Sequence, residues 1–164
     1  MKIGVLSDTH LRDRDDSAPL ENLIRTYFED CAAIIHAGDL VSMTPFYAAL
    51  PEDVPFFAVA GNMDPTDIGY PRRRIIEFGG KRIGLIHGDG GGGEVPRRAL
   101  SSFADENVDA VIFGHSHTPY NRKIGSVLLF NPGSAFDRRY APYRSIGILE
   151  LGDTVTGTII ELEG

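Results

Sequence analysis

The sequence predicts an α/β domain that contains either one mixed sheet or two packed sheets. Up to residue 114, short apolar runs alternate with amphipathic segments and turn residues, a pattern typical of strands joined by helical crossovers. After that point, "RKIGSVLLFN" and "RSIGILELGDTVTGTIIELE" predict strands around "GS" and "GD" turns with no helix between them. We therefore expect crossovers first and hairpins last.

The bulk composition is that of a globular protein. The chain has 164 residues, of which 42% are hydrophobic and 24% charged, and we expect a single domain over residues 1–164. The formal net charge of −7 argues against general nucleic-acid binding, because such proteins normally present a basic face. No run approaches the roughly 20 apolar residues of a membrane span. The apolar run in the opening "MKIGVLSDTH" is too short for a signal sequence, so we expect a cytoplasmic protein.

The chain has one cysteine, Cys31, which excludes an internal disulfide. It lies within "CAAIIHAGD", and these apolar neighbours predict a small buried side chain rather than a nucleophile.

The first elements follow from local patterns. A strand is predicted over residues 2–7, and a helix over residues 19–30 that Pro19 opens. The apolar positions of this helix recur at helical spacing: Leu20, Leu23, Ile24, Tyr27 and Phe28. Strands are then predicted over residues 32–36 and 54–60.

Between those two strands, residues 44–50 predict a short helix with Thr44 as the N-cap and Pro45 in the first turn. The segments "RRIIEF" (73–78) and "KRIGLIH" (81–87) are split by "GG" and predict a hairpin. A less marked helix over residues 94–106 precedes the strand "DAVIFG".

Five predicted strands end in a short polar cluster beside a glycine or serine. These clusters are "SDTH", "HAGD", "GNMD", "IHGDG" and "GHSH". Because the carboxyl ends of strands in an α/β sheet share one edge, we expect the clusters to meet there. The clusters contain four glycines, Gly38, Gly61, Gly88 and Gly114. Glycine allows positive φ, so these positions would let the polar groups converge.

The histidines concentrate at these strand ends. Of five histidines, four lie in the clusters, namely His10, His87, His115 and His117, and the fifth, His36, lies three residues before Asp39. One such histidine alone would be explained as a hydrogen-bonded loop residue. Five clusters in the same structural role favour metal ligation, and nitrogen and oxygen donors suit a divalent transition ion, with enough ligands for two.

In this order the motifs D-x-H, G-D, G-N-x-D, H-G and G-H-x-H resemble those of the calcineurin-like metallophosphoesterases. The "NPGS" of residues 131–134 is similar to that of their small, single-domain phosphodiesterase branch. The resemblance extends from Asp8 to Ser134. It implies a four-layer αββα sandwich, with two mixed sheets flanked by helices and a two-metal centre at the strand ends.

The resemblance also implies a ligand set. The first ion would be held by Asp8, His10, Asp39 and His117, and the second by Asp39, Asn62, His87 and His115. Asp39 would bridge the ions, and Asp39, Asn62 and His115 are the residues assigned to catalysis. Manganese is the expected ion, with nickel, iron, cobalt or zinc as alternatives. A hydroxide bridging the ions would attack the phosphorus, and the centre would be cationic although the protein is acidic.

Two positions depart from the common family pattern. Met63 stands where many relatives carry a histidine thought to help protonate the leaving group, while Asp64 remains and could orient a histidine. After the fourth strand, Asp89 stands in place of a common second histidine. Asp89 could act as an acid or could be a solvated loop carboxylate. The following run, Gly90 to Gly93, could be a mobile lip, although a flexible surface loop is preferred.

Basic and aromatic residues give weaker signals. Arginine pairs at 71–74, 97–98 and 138–139 usually form solvated faces, and Arg138 and Arg139 have the best position to hold a phosphate. Tyr140 and Tyr143 could stack on a substrate ring, but packing is preferred. "RDRDD" (12–16) is expected to be a solvated loop.

These features predict a metal-dependent phosphodiesterase that acts on a small-molecule phosphoester or nucleotide, without membrane or strong nucleic-acid binding. One alternative is a protein-interaction scaffold of the retromer-subunit type. Another is a phosphomonoesterase or nuclease that uses the same metal centre. A homo-oligomer is compatible with the sequence.

Overall fold

The computed structural model describes residues 1–164 as ten strands and three helices. In chain order they are β1 (Lys2–Leu6), α1 (Ala18–Tyr27), β2 (Ala33–His36), α2 (Thr44–Ala49), β3 (Phe56–Ala58), β4 (Arg73–Phe78), β5 (Lys81–Ile86), α3 (Val95–Ser101), β6 (Ala110–Ile112), β7 (Tyr120–Ile124), β8 (Val127–Asn131), β9 (Arg144–Leu151) and β10 (Val155–Leu162).

The strands form two mixed five-stranded sheets, with the orders β10-β9-β1-β2-β3 and β4-β5-β6-β8-β7. In the first sheet, β1, β2 and β3 are parallel and β9 runs antiparallel to β1. In the second, β5, β6 and β8 are parallel, with antiparallel β4 and β7 at the edges. The structure therefore selects two sheets over one, and the parallel strands of each sheet end at a common edge.

Apolar side chains divide the molecule into four layers. Between the sheets, Val5 and Ile35 share one buried cluster with Leu85 and Ile112. The helices α1 and α2 cover the outer face of the first sheet, and α3 covers the outer face of the second. Burying each large aliphatic side chain contributes about 1.5–3 kcal/mol, so this layering accounts for much of the folding free energy. The predicted αββα sandwich is confirmed.

Element ends differ from the sequence predictions. The helix α1 ends at Tyr27 and α3 at Ser101, several residues earlier than predicted. After α3 the chain continues in single turns that bring Phe103 over Gly84, where a Cβ would lie 2.8 Å from the ring. The predicted N-cap Thr44 is wrong, because Met43 is the cap residue and the Thr44 N–H donates to Ser42 Oγ at 3.1 Å.

Cys31 is buried, as predicted, and burial raises the pKa of its thiol to about 11. The thiolate that nucleophilic chemistry needs is therefore scarce at neutral pH. None of the three helices has the length and apolar character that crossing a bilayer requires.

Candidate metal centre

The predicted ligand clusters meet where the carboxyl ends of the two sheets adjoin. Asp8 and His10 follow β1, Asp39 follows β2, Asn62 follows β3, His87 follows β5, and His115 and His117 follow β6. Backbone hydrogen bonds join neighbouring loops, from Asp8 N–H to the Gly38 carbonyl at 2.9 Å and from Gly114 N–H to the His87 carbonyl at 3.0 Å. The sheet-edge prediction is therefore correct in its geometry.

The Asp8 carboxylate lies at the middle of the histidines. Its Oδ1 is 3.4 Å from His117 Nε2, 3.7 Å from His87 Nε2 and 3.9 Å from His10 Nε2. Asp39 contributes a second oxygen, because its Oδ2 is 3.2 Å from His87 Nε2 and 3.5 Å from His10 Nε2. Both carboxylates thus face imidazoles on both sides of the centre.

These atoms form two overlapping groups, each with ligand atoms within 4.8 Å of one another. One contains Asp8, His10 and His117, and the other contains Asp8, Asp39 and His87. The resemblance implied only Asp39 as a shared ligand, whereas in the structure Asp8 belongs to both groups.

The two remaining predicted ligands lie at the rim of the second group. The His115 ring is near-perpendicular to that of His87, at 79° and 5.2 Å between centroids, and it is half-buried. Asn62 is exposed in the turn after β3, beside Met63, whose N–H donates to Asp39 Oδ1 at 2.8 Å. Neither residue belongs to the two donor groups, and both are more accessible than Asp8, Asp39 and His87.

Five of the seven predicted ligands have a left-handed backbone. Their φ values are 52° at Asp8, 51° at His10, 60° at Asp39, 70° at His115 and 58° at His117. Residues other than glycine are uncommon in this region, because the conformation costs about 1–3 kcal/mol for each residue. Such residues persist where the surrounding structure fixes them, and they cluster at functional sites.

The cluster glycines have two different roles. Gly38 and Gly88 have positive φ, as predicted. Gly61 and Gly114 do not; they provide space, because a Cβ on Gly61 would overlap Asp39 and one on Gly114 would overlap Ser7.

Three polar atoms of the centre are buried without a hydrogen-bond partner: Asp8 Oδ1, His10 Nε2 and His87 Nε2. Leaving such a group unpaired costs about 1–3 kcal/mol, so three together at one point favour a bound ligand. Carboxylate oxygens and imidazole nitrogens are donors that first-row divalent ions accept. The residues present therefore fit the metal that the family resemblance implies.

Hydrogen bonds from outside the centre orient these donors. His87 Nδ1 lies 2.7 Å from the Ala37 carbonyl, and His117 Nδ1 donates to the Asp137 carbonyl. A proton on Nδ1 leaves the Nε2 lone pair directed at the centre. Ser7 Oγ and the His115 N–H donate to Asp8 Oδ2, at 2.7 and 3.0 Å, which leaves Oδ1 free. The role of Ser7 was missed, although it directly precedes Asp8.

Asp64 holds backbone rather than a histidine. Its carboxylate accepts the N–H groups of Asp39 at 2.9 Å, Gly61 at 2.7 Å and Val41 at 2.6 Å. The prediction that it orients a histidine is wrong. Asp64 instead stabilises the left-handed turn that presents Asp39.

The buried charges shift one another's pKa. Burial raises the pKa of Asp8 to about 7, although the nearby His87 opposes this. Burial alone would lower the pKa of His87, but the Asp39 carboxylate, 3.2 Å from His87 Nε2, and the charge of Asp8 outweigh it and raise the pKa to about 9. Burial lowers the pKa of His10, His115 and His117. A cation bound by these donors would displace any proton that they hold.

Comparisons with known proteins agree with this geometry. Residues 1–154 match the family model of the calcineurin-like phosphoesterase superfamily domain. The chain belongs to this superfamily. A probable metallophosphoesterase of Methanocaldococcus jannaschii is 37% identical over 164 residues, covering 99% of this chain and 82% of the relative.

Solved structures share the fold at lower identity. A structure described as a novel archaeal phosphodiesterase has a TM-score of 0.74 and 24% identity, covering 98% of this chain and 100% of the other. Vps29 of Chaetomium thermophilum has a TM-score of 0.75 and 18% identity, covering 99% and 95%. These likenesses show that this superfamily member has the metallophosphatase fold.

The position that many members of the superfamily fill with a second histidine carries Asp89, and here Asp89 forms an ion pair. Arg72 Nη2 lies 2.6 Å from Asp89 Oδ2, and Arg72 Nη1 lies 3.5 Å from the Gly61 carbonyl. The Asp89 side chain is therefore directed at Arg72.

Two further arginines hold loop backbone. Arg98 donates to the carbonyls of Gly88, at 2.7 Å, and of Gly93, so it joins the residue after His87 to the end of the exposed glycine run. Arg138 donates to the Ala141 carbonyl at 2.7 Å. The charge of Arg139 adds to the lowered pKa of His10 and His117, so Arg139 lies close to the centre. Tyr140 is fully exposed, so it does not pack in the core of the chain.

His36 lies behind the centre and has a structural role. It is fully buried, its Nδ1 accepts the Gly38 N–H at 3.1 Å, and its Nε2 is 3.0 Å from Thr9 Oγ1. The neutral ring therefore carries its proton on Nε2 and joins the turns that present Asp8 and Asp39. Burial lowers the pKa of His36 to about 3.

This burial predicts an acid-dependent loss of stability. Below pH 6.5 the unfolded chain protonates His36 while the folded chain does not, so the contribution of His36 is complete above that pH and falls towards pH 3. We expect the stability advantage of the wild type over His36→Gln to shrink by about 2 kcal/mol between pH 7 and pH 5. Urea unfolding of both proteins at the two pH values measures it, and an unchanged difference would contradict it.

Proposed function

We propose that this metallophosphoesterase hydrolyses phosphodiesters with two divalent ions held by the seven predicted ligands. Membership of the superfamily supports a metal-dependent phosphoric ester hydrolase. The observation that carries the two-ion proposal is the pair of overlapping donor groups around Asp8 and Asp39, with three donor atoms left unpaired. The likeness to an archaeal phosphodiesterase is consistent with diester substrates.

The residues of the site have different roles in the proposed hydrolysis. Bound divalent ions would supply a nucleophile from water and charge to neutralise the phosphate. Asp8 and Asp39 face the histidines on both sides of the centre, and Ser7, Asp137 and Ala37 fix the orientation of three donors. Asn62 and His115 are more accessible, so a phosphate would approach beside them, and the Arg139 charge lies nearby.

The proposed hydrolysis consumes one water molecule for each diester. Water adds its oxygen to phosphorus, the bond from phosphorus to the ester oxygen breaks, and the departing oxygen takes a proton. The products are a phosphomonoester and an alcohol. Manganese is the ion we propose, because oxygen donors and the accessible rim suit it, and nickel, iron, cobalt or zinc would also be accepted.

A scaffold function remains the competing hypothesis, since Vps29 shares the fold. This chain keeps unpaired metal donors and left-handed ligand turns, as a metal-dependent enzyme requires. A Vps29 of Entamoeba histolytica has also been solved with zinc, so metal binding alone does not separate the hypotheses and turnover must.

Metal addition separates the two hypotheses. After chelation and dialysis, manganese or nickel is expected to restore hydrolysis of bis-(4-nitrophenyl) phosphate, because these nitrogen and oxygen donors accept several first-row ions. Metal binding should also raise the thermal midpoint, since a ligand at 100 times its Kd adds about 2.7 kcal/mol. If manganese, nickel, cobalt, iron and zinc all fail to give turnover of any phosphoester, the scaffold hypothesis is favoured.

A further inference from the structure

We propose that a groove beside the metal centre binds one arm of the diester, and that this arm is a nucleotide carrying a second phosphate. This inference rests on the proposed function and names its substrate class. The groove has a volume of about 630 Å³. That volume is within the range of small-molecule sites. Its walls include Arg12, Arg14, Met43, Tyr47, Pro65 and Ile68.

Three loops that carry predicted ligands continue into the walls of the groove. Arg12 follows the predicted ligand His10 by two residues, Val41 follows Asp39 by two, and Pro65 follows Asn62 by three. Backbone contacts hold these loops together, because Leu11 N–H donates to the Leu40 carbonyl at 3.1 Å and Val41 N–H donates to Asp64 at 2.6 Å. An ester arm leaving the centre on this side would enter the groove directly.

The groove presents an aromatic surface. The Tyr47 side chain is 77% exposed on α2, and Met43, Pro65 and Ile68 add apolar atoms around it. A large exposed aromatic ring in a concave wall is a stacking surface, and stacking of a base on such a ring is worth about 1–3 kcal/mol. This favours a flat aromatic group such as a nucleobase over an aliphatic arm.

Two arginines of the wall are free to bind a further phosphate. Arg12 and Arg14 are exposed, and neither forms an ion pair in the structure, unlike Arg72 and Arg82. The wall also contains two carboxylates, so its formal charges balance. One of them, Asp13, is directed at Ser42 and Thr44, whose hydroxyls donate to it, the second at 2.9 Å.

The second wall carboxylate, Asp67, offers an acceptor to an exocyclic amino group of a base. Two unpaired guanidinium groups are suited to a phosphate, which they can bind through several N–H groups at once. Together the ring, the arginines and the acceptor match a nucleoside phosphate.

Direct binding tests the groove without catalysis. Adenosine 3′,5′-bisphosphate is titrated calorimetrically into wild type and variants after metal removal, with inorganic phosphate as the comparison ligand. We expect Tyr47→Ala and the double variant Arg12→Ala/Arg14→Ala each to weaken bisphosphate binding by about tenfold. Tyr47→Phe, which keeps the ring, and Arg25→Ala, on the exposed side of α1, should bind as wild type does. Binding by the first two variants equal to wild type would overturn the inference.

Kinetics separate this inference from the function on which it rests. With manganese bound, wild type should cleave a dinucleotide with a terminal phosphate about tenfold faster in kcat/KM than the same dinucleotide without it. The double arginine variant should lose that preference, whereas Arg25→Ala should keep it. No turnover of bis-(4-nitrophenyl) phosphate by wild type would reject the proposed function. Turnover of that diester without any preference for the terminal phosphate would reject the groove alone.

Discussion

Replacing Asp39 with alanine is expected to abolish phosphoesterase activity and leave the fold intact. Asp39 Oδ2 reaches both His87 Nε2, at 3.2 Å, and His10 Nε2, at 3.5 Å, so it serves the donors on both sides of the centre. Loss of a ligand shared by two ions should cost several kcal/mol of transition-state stabilisation, which lowers kcat/KM by at least about 10³-fold. The side chain makes only one backbone hydrogen bond, from Met63 N–H, so the fold should survive.

The measurement combines kinetics with elemental analysis. Wild type loaded with manganese should contain two ions per chain, and Asp39→Ala should contain at most one, with an unchanged far-ultraviolet circular dichroism spectrum. Asp105→Ala removes an exposed carboxylate and serves as the matched control, with activity and metal content like wild type. A wild-type content well below one ion per chain, or near-normal activity in Asp39→Ala, would refute the two-ion proposal.

Aryl diesters are expected to be cleaved far faster than alkyl diesters of similar size. The exposed thioether of Met63, at the position where many relatives have a histidine, has no proton to give, and Asp89 is paired with Arg72 at 2.6 Å. A nitrophenolate can leave without a proton, whereas an alkoxide needs one. General-acid assistance is typically worth about 10²–10⁴-fold, so the rate should fall steeply as the leaving-group pKa rises.

A rate series over diesters of graded leaving-group pKa, with manganese bound, measures this dependence. Asp89→Asn should leave the slope unchanged, because the structure gives Asp89 an ion-pairing role. Met63→His should flatten the slope by introducing a proton donor at that position. A flat series in wild type would reveal a donor among the other residues, and a slope that steepens only in Asp89→Asn would identify Asp89 as that donor.

Local patterns were sufficient for most of the architecture and for the choice of candidate ligands. Alternation of apolar residues and the glycine and proline positions predicted nearly every strand and helix, because these signals act over a few residues. The errors lie at element ends: α1 and α3 end earlier than predicted, and the strand predicted over residues 54–60 covers only Phe56–Ala58. There, contacts made far along the chain decide the outcome, as with Phe103 packing over Gly84.

The sequence predicted which residues form the candidate site, but it predicted fewer of the contacts that hold them in place. Polar residues after five strands had to converge once parallel strands shared an edge, so Asp8, His87 and His117 were found from sequence alone. Nothing in the local pattern indicated that Asp64 holds the Asp39 turn or that Arg72 pairs with Asp89. The partners in the second case are 17 residues apart, and they meet through loop packing.

The sequence by itself determined the order of elements along the chain, the set of candidate metal ligands and the absence of a histidine at position 63. Backbone propensity and side-chain chemistry are properties of single residues and short segments, so they are readable without coordinates. Local patterns left one sheet or two open, and the family resemblance implied two. Only the tertiary structure decided that Asp8 belongs to both donor groups. It also decided that three loops enclose a groove lined by Tyr47, Arg12 and Arg14. These features depend on side chains meeting across sheets and loops, where packing of the whole core sets each distance.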